Sequence, residues 1–324
     1  MSLLDELKRH TLVVADTGDI LSIEQFKPRD ATTNPSLIAA AAKMPAYADI
    51  VKGALGAARA ELGEGAGTAA IVSHAIDVLS VEMGRRILDI VPGRVSTEVD
   101  ARLSWDVEGT LAKAQKLIAM YEAHGVPRER VLIKIASTWE GIRAAELLEK
   151  QGIHCNLTLL FGMHQAVACA EAGATLISPF VGRILDYYVK TTGRTSYPPA
   201  EDPGVVSVTR IYEYYKHHGY ETEVMGASFR NLGEILELAG CDLLTISPKL
   251  LAELGAAEGE VPRKLDPVAA KAKPVERIVC DEAAFRRMHE ADAMSSFKLQ
   301  EGIEGFTKSL VELEEMLGGM LAEA

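Results

Sequence analysis

The sequence lacks the motifs that usually hold a metal or a nucleotide. Its eight histidines form no HExxH motif, and its four cysteines, at positions 155, 169, 241 and 280, form no CxxC pair. It also has no P-loop, and no GxGxxG motif follows a predicted strand, so the glycines that cradle a phosphate in nucleotide sites are missing. We therefore predict neither a metal site nor a bound cofactor.

Membrane and nucleic-acid partners are equally poorly supported. No apolar run approaches the roughly 20 residues that a helix needs to cross a bilayer, and the first residues, MSLLDELKRH, lack the apolar core of a signal peptide. A formal net charge of -12 disfavours nucleic acid and anionic membranes. Because the protein is acidic, we expect it to bind any anionic substrate through a few local arginines. The scattered cysteines suit reduced thiols, so we expect a cytoplasmic protein.

Short apolar strands alternate with helical segments along all 324 residues, a pattern typical of a parallel α/β sheet. Eight such units predict a closed (β/α)8 barrel of the TIM type, with an open doubly wound sheet as the structural alternative. We expect a single domain over 1–324, with C-terminal helices from about residue 280 packed on it. The predicted strands lie in TLVVAD, RDATTN, GRVSTEVD, RVLIKIAS, HCNLTLLF, ATLISPF, TEVMGASFR and CDLLTISP.

The connections between these strands differ greatly in length. The second and third strands are separated by enough apolar helical sequence for two helices, 36–62 and 67–91. Segments 191–204 and 254–276 are rich in proline and glycine, which predicts surface loops. The tail 281–317 has a long helical pattern, which is typical of a helix that closes the barrel, of a lid, or of a subunit contact.

Lys134 is an unusual residue because it interrupts the apolar strand RVLIKIAST. A lysine in such a strand can extend its stem to water or form a buried ion pair. Alternatively, burial disfavours the charged form of an ammonium group, so that a neutral amine can attack a carbonyl and form a Schiff base. The strand alone does not decide between these interpretations.

Other polar residues cluster at the same end of the predicted strands. Active sites of (β/α)8 barrels lie at the C-terminal ends of the strands, and residues two apart on a strand share one face. Singly, each residue is explained by hydrogen bonding within the core. Together they match the needs of metal-free aldol chemistry, in which an imine accepts electrons and a carboxylate moves a proton. They are Asp16, Asn34, Glu98, Lys134, Asn156, Thr158, Ser178 and Ser228.

The motifs VVADTGD, DATTNPSL, PGRVSTEVDARLS, KIASTWEGI, NLTLLF, LISPFVGRILD and MGASFRN resemble those of the transaldolase family, in the same order and over nearly the whole chain. The segment FGMHQAV departs from the family pattern without removing a motif residue. The resemblance implies a (β/α)8 barrel and a Schiff base with a ketose phosphate. It also implies transfer of a dihydroxyacetone unit from sedoheptulose 7-phosphate to glyceraldehyde 3-phosphate, giving erythrose 4-phosphate and fructose 6-phosphate.

The resemblance also implies a role for each motif residue. Lys134 would form the Schiff base, Asp16 would be the acid and base of bond cleavage, and Glu98 with Thr158 would hold a proton-shuttling water. The implied substrate-binding residues are Asn34, Asn156, Ser178 and Phe180 for the sugar, and Arg183, Ser228 and Arg230 for the phosphate. From helix spacing alone, an ion pair with Asp186 one turn away is the alternative for Arg183.

Two other functions remain open at this point. Fructose 6-phosphate aldolases share the lysine, but they have a shorter chain, a glutamine where this sequence has Glu98 and a tyrosine where it has Phe180. A non-catalytic sugar-phosphate-binding barrel would be expected to have lost chemical residues, and none is missing here. The family resemblance further implies a homodimer.

Overall fold

The computed structural model describes residues 1–63 and 65–323. Within these residues, eight parallel strands form a closed barrel in which each strand pairs with its neighbours in chain order and β8 pairs with β1. The closed barrel was predicted, and the open-sheet alternative is wrong. The strands are β1 Leu12–Asp16, β2 Asp30–Thr32, β3 Val95–Glu98, β4 Val131–Ala136, β5 Cys155–Leu160, β6 Leu176–Pro179, β7 Glu223–Gly226 and β8 Leu243–Ile246.

Helices surround the barrel, and side-chain caps fix where many of them begin. Asn34, Asp106 and Asn231, for example, each accept a hydrogen bond from a backbone N–H in the first turn of the following helix. The helices are α1 Leu3–Lys8, α2 Ile20–Phe26, α3 Pro35–Ala42, α4 Ala48–Leu62, α5 Thr68–Leu88, α6 Val107–Ala123, α7 Trp139–Glu149, α8 Met163–Glu171, α9 Gly182–Thr192, α10 Pro203–His218, α11 Leu232–Glu237, α12 Pro248–Ala256, α13 Pro267–Ala272, α14 Glu282–Ala291 and α15 Ala293–Ala322.

Three predicted segments differ from the structure in their boundaries. The predicted helix 36–62 is divided into α3 and α4, because Pro45 cannot donate a backbone hydrogen bond and starts a separate 3-10 turn. The helical tail is divided at Asp292, which caps the N-terminus of α15. The predicted loop 254–276 contains α13, which begins at Pro267 behind the cap Asp266.

The strands are buried on both faces, as expected for parallel sheet covered by helices. All four cysteines are buried with free thiols. The C-terminal helix α15 packs against α3, α5 and α9 and also contacts β5, so it covers one side of the barrel mouth. Among the described residues, no helix is long and apolar enough to span a membrane.

Candidate active site

Three functional side chains lie side by side on adjacent strands. The register pairs Glu98 of β3 with Lys134 of β4, and Lys134 with Asn156 of β5. Paired residues on parallel strands point to the same face, and Leu132, two residues before Lys134, packs with residues of β1, β6, β7 and β8. This row therefore faces the barrel interior. Three of the eight polar residues that the sequence placed near strand ends are therefore brought together.

Lys134 is buried, with 3% of its surface exposed, and its ammonium group has two oxygen neighbours. Its Nζ donates a hydrogen bond to the carbonyl oxygen of Thr33 at 3.2 Å and lies 3.2 Å from Glu98 Oε2. The interpretation in which the lysine stem extends to water is therefore wrong, and the buried ion pair is observed. An ion pair does not exclude nucleophilic chemistry, because a proton can pass between the two partners.

Asp16 ends β1 and is held by a chain of two hydroxyl groups. Thr32 Oγ1 donates to Asp16 Oδ1 at 3.0 Å and lies 2.7 Å from Thr245 Oγ1. Since Thr32 has only one hydroxyl proton, Thr245 must donate to Thr32 whenever Asp16 is a carboxylate. Loss of solvation raises the pKa of Asp16, although the Lys134 charge and the Thr32 hydrogen bond act in the opposite direction.

Glu98 has a similar electrostatic environment. Burial raises its pKa, and the nearby Lys134 and Arg183 charges only partly oppose this effect. Thr158 Oγ1 is buried and has no hydrogen-bond partner among the described residues, whereas the buried Glu98 Oε2 has the Lys134 ammonium group 3.2 Å away. Buried polar atoms are normally satisfied, so the Thr158 hydroxyl on β5 indicates a site for a polar group from outside the chain.

A second hydrogen-bonded chain continues around the barrel from Asn156. Ser178 Oγ donates to Asn156 Oδ1 at 2.6 Å, and Asn156 Nδ2 donates to Ser96 Oγ at 3.0 Å. These contacts fix the orientation of the Asn156 amide. Asn34, by contrast, lies just beyond β2, where its Oδ1 accepts a hydrogen bond from Leu37 N at 2.9 Å, which fixes the amide that would donate through Nδ2 to a ligand.

Arg183, Ser228 and Arg230 meet where the β6 and β7 loops approach each other. Gly182 N donates to the Ser228 carbonyl at 2.8 Å, and a Cβ at Gly182 would lie 2.4 Å from that oxygen, so the contact requires glycine. Ser228 has a left-handed backbone with φ of 61°, a strained conformation for a non-glycine residue that is often found at binding sites.

Arg183 and Arg230 are held in place by different kinds of contact. Arg230 forms an ion pair with Asp186 at 2.7 Å, while its Nη1 lies 3.4 Å from Ser228 Oγ. The sequence alternative that paired Asp186 with Arg183 is therefore wrong, because the β7 loop brings Arg230 to Asp186 instead. The guanidinium carbon of Arg183 lies 4.8 Å from the ring centroid of Phe180. Burial lowers the pKa of Arg183, but the ordinary pKa of arginine is so high that the group stays protonated.

Sequence reasoning missed several residues that complete this site. Thr32, Ser96 and Thr245 are inward-facing hydroxyls, and their position within apolar strands was a usable signal. Glu234 is fully buried and accepts a hydrogen bond from Arg230 N at 2.6 Å, while Phe306 on α15 contacts Arg183. Nothing in the local sequence indicates these last two contacts, because they depend on the packing of distant segments.

The arrangement combines a buried amine paired with the Glu98 carboxylate, a second buried carboxyl group at Asp16, oriented hydroxyl and amide groups, and two arginines. Such a site can form an imine with a carbonyl compound, transfer protons and bind an anionic group. The described residues contain no group of three or more His, Cys, Asp and Glu side chains that could hold a metal ion.

Comparison with known proteins agrees with this chemistry. A family model described as transaldolase/fructose-6-phosphate aldolase matches residues 13–317. The chain is 67% identical over 322 residues to a protein named transaldolase from Thermosynechococcus vestitus, covering 99% of this chain and 82% of that protein. It is 66% identical over 321 residues to a transaldolase from Methylococcus capsulatus, covering 99% and 98%. A transaldolase from Acidobacterium capsulatum is 64% identical over 322 residues, covering 99% and 96%.

Proposed function

The chain belongs to the transaldolase/fructose-6-phosphate aldolase family, and from this premise we propose that it acts as a transaldolase of the pentose phosphate pathway. It transfers a dihydroxyacetone unit from sedoheptulose 7-phosphate to glyceraldehyde 3-phosphate. The products are erythrose 4-phosphate and fructose 6-phosphate. The single observation that carries the proposal is the buried Lys134 amine, 3.2 Å from the Glu98 carboxylate inside the barrel.

The first step forms an imine on Lys134. The neutral amine attacks the ketose carbonyl at C2, and the resulting carbinolamine loses water to give a protonated Schiff base. Glu98 is 3.2 Å from the lysine nitrogen and accepts the ammonium proton before the attack. The raised pKa of Glu98 supports this role, because it brings the proton affinity of the carboxylate closer to neutral pH.

A water molecule completes the proton transfers of imine formation. We assign it to Glu98 and Thr158, because the buried Thr158 hydroxyl has no hydrogen-bond partner among the described residues and Glu98 lies beside the amine that forms the imine. This water carries a proton to the carbinolamine hydroxyl, which then leaves as water. The same route runs in reverse when the transferred product is hydrolysed from the lysine.

Asp16 performs the proton transfer of bond cleavage. It removes the proton of the C4 hydroxyl while the C3–C4 bond breaks, and the bonding electrons move into the imine to form an enamine. The aldehyde product leaves, the acceptor aldehyde binds, and the enamine carbon attacks it. Asp16 then returns its proton to the new alkoxide, so the proton balance closes over one cycle.

The remaining residues bind the substrate. Asn156 and Ser178, whose side chains orient each other, and Asn34 hold the hydroxyl groups of the dihydroxyacetone unit. Arg183, Ser228 and Arg230 bind the phosphate, for which a guanidinium fork is a suitable partner in an acidic protein. Phe180 lines the site, and its ring packs against the Arg183 guanidinium.

The aldolase branch of the same family is the main competing function. That branch carries a glutamine at the position of Glu98 and a tyrosine at the position of Phe180, whereas this chain has a carboxylate and an unsubstituted ring. An enzyme of that type would release free dihydroxyacetone rather than transfer it.

A coupled assay tests the proposal. Purified protein is given sedoheptulose 7-phosphate and glyceraldehyde 3-phosphate without added metal, and fructose 6-phosphate is measured alongside free dihydroxyacetone. We expect fructose 6-phosphate in equimolar amount with erythrose 4-phosphate. Dihydroxyacetone as the main product would indicate the aldolase, and no reaction from a folded protein would indicate a non-catalytic barrel.

We also propose that the chain forms one domain, works as a homodimer and is cytoplasmic. The contacts of α15 with α3, α5, α9 and β5 support one domain, because they tie the C-terminal tail to the barrel. Light scattering after size-exclusion chromatography tests the dimer, for which we expect twice the chain mass of 34.9 kDa.

A further inference from the structure

The C-terminal helix α15 places one aromatic ring inside the candidate active site. Phe306 is buried, and its ring centroid lies 5.4 Å from the guanidinium carbon of Arg183 and 6.0 Å from Lys134 Nζ. It belongs to an apolar cluster that joins α15 to the mouth of the barrel. The other members are Ala101, Ala136, Leu159, Phe161, Phe180, Ile184, Ala227, Met294, Leu299 and Ile303.

The Arg183 guanidinium packs against aromatic rings instead of forming an ion pair with a carboxylate. In the part of the chain that the structure describes, no Asp or Glu oxygen lies within 4.0 Å of its guanidinium, unlike Arg230, which is paired with Asp186. The Arg183 guanidinium lies over both Phe180 and Phe306. A cation over an aromatic face is attracted by the ring quadrupole, and the attraction is stronger when both are desolvated.

The backbone of α15 also approaches Arg183 closely. A Cβ at Gly302, one turn before Phe306, would lie 2.6 Å from Leu159 Cδ2 and 3.4 Å from Arg183 Nη1. Leu159 has a left-handed backbone with φ of 51° directly after Thr158, at an irregularity in the pairing of β5 with β6. The helix is therefore fitted against both the end of β5 and the arginine.

We propose that Phe306 is a positioning residue for phosphate binding: its ring fixes the Arg183 guanidinium without neutralising it, so that Arg183 can pair fully with a substrate phosphate. A carboxylate in the same place would compete with the phosphate, whereas a ring orients the cation and leaves its N–H groups free to donate. Docking of α15 thereby becomes a requirement for recognition of phosphorylated sugars. This inference rests on the proposed function, because it assumes that Arg183 binds the phosphate.

The experiment compares Phe306→Leu with Phe306→Tyr. Leucine keeps an apolar side chain but removes the ring face, and tyrosine retains the ring. Leu313→Val is the matched control, because Leu313 is buried on the same helix but packs in a separate cluster with α3, α4 and α5. Thermal unfolding of each variant identifies loss of folding.

The readout is kcat/KM for the acceptor, measured with glyceraldehyde 3-phosphate and with glyceraldehyde. In a reaction that proceeds through a covalent enzyme intermediate, this ratio reports the second half-reaction alone, so weaker binding of the donor phosphate does not affect it. For Phe306→Leu we expect roughly a 5- to 30-fold loss with glyceraldehyde 3-phosphate, the range for a desolvated cation–ring contact, and a much smaller change with glyceraldehyde. Phe306→Tyr and Leu313→Val should stay within about twofold of the natural chain for the phosphorylated acceptor.

Equal losses on both acceptors for folded Phe306→Leu, or no loss on either, would overturn the inference. If the leucine variant does not fold, Phe306→Met provides the same comparison with a more adaptable apolar side chain. Failure of the proposed function itself would be recognised separately, since the unmodified chain would then give no fructose 6-phosphate from sedoheptulose 7-phosphate and glyceraldehyde 3-phosphate.

Discussion

Lys134 Nζ lies 3.2 Å from Glu98 Oε2 inside the barrel, and each side chain is 4% exposed. Replacing Glu98 with glutamine removes the proton acceptor while keeping its shape. We expect Glu98→Gln to slow imine formation by about 10²–10⁴-fold, the usual contribution of a positioned acid or base. The rate at which borohydride traps the Lys134 adduct in single-turnover experiments measures this step.

Asp100→Asn is a suitable control for the Glu98 variant, because Asp100 lies two residues further along the chain and pairs with Arg102 outside the barrel. The control should trap at the normal rate. If Glu98→Gln is also trapped at the normal rate, Glu98 takes no part in imine formation.

Asp16 allows bond cleavage to be separated from imine formation. We expect Asp16→Asn to form the Schiff base with fructose 6-phosphate but to cleave it about 10²–10⁴-fold more slowly. Mass spectrometry after borohydride reduction should then find a six-carbon adduct on Lys134, where the natural chain gives a three-carbon adduct. Asp19→Asn, which alters the cap of α2 three residues away, should give the three-carbon adduct.

A folded Asp16→Asn variant that forms no adduct would mean that Asp16 acts on imine formation. Near-normal turnover would mean that it takes no part in the chemistry.

The phosphate assignment predicts a selective loss. Replacing Arg183 or Arg230 with alanine should raise KM for phosphorylated sugars by roughly ten- to a hundredfold, since a charge-assisted hydrogen bond contributes about 1.5–3 kcal/mol. Turnover of unphosphorylated substrates should change far less. Arg102→Ala, which breaks an ion pair with Asp100 and Glu314 instead, serves as the control. Losses of equal size on both substrate types would indicate a folding role.

We expect the buried Glu234 to make the free energy of unfolding depend on pH. Burial raises its pKa from 4.5 to about 7, so between these values the folded protein binds more protons than the unfolded chain. The resulting stabilisation is present below pH 4.5 and is lost as the pH rises through about 7. Glu234→Gln, which keeps an oxygen for Arg230 N, should therefore be more stable than the natural chain at pH 8 by roughly 1–3 kcal/mol. At pH 5 the difference should be small.

Urea unfolding at the two pH values measures this difference. Glu237→Gln on the same helix is the control, because Glu237 pairs with Lys264 near the surface. A difference between Glu234→Gln and the natural chain that is the same at pH 5 and pH 8 would contradict the assignment of the proton to Glu234.

The sequence contained most of the information about the strands and their inward-facing residues. Strand alternation places residues two apart on one face, so Asn156 and Thr158, or Ser96 and Glu98, could be assigned to the interior before the register was known. Family motifs then suggested individual roles. Proline and aspartate also indicate where α4 and α15 begin, but an apolar helical pattern runs through both positions and obscured the breaks.

Contacts between distant segments could not be predicted in this way. Asp186 is one turn from Arg183 in sequence, but the β7 loop delivers Arg230 to it instead. Phe306 is more than a hundred residues from Arg183 and occupies an ordinary apolar position of a helix. Which polar group meets which partner depends on how the loops and α15 fold over the barrel mouth, and local propensity does not contain that information.

The position of the covalent intermediate tests the Schiff-base mechanism most directly. The protein is incubated with fructose 6-phosphate, reduced with borohydride and digested, and the modified lysine is identified by mass spectrometry. We predict one reduced dihydroxyacetone unit on Lys134 and none on Lys298, which is also buried. A label on Lys298 or any other lysine, or full turnover by a Lys134→Met variant, would contradict that mechanism.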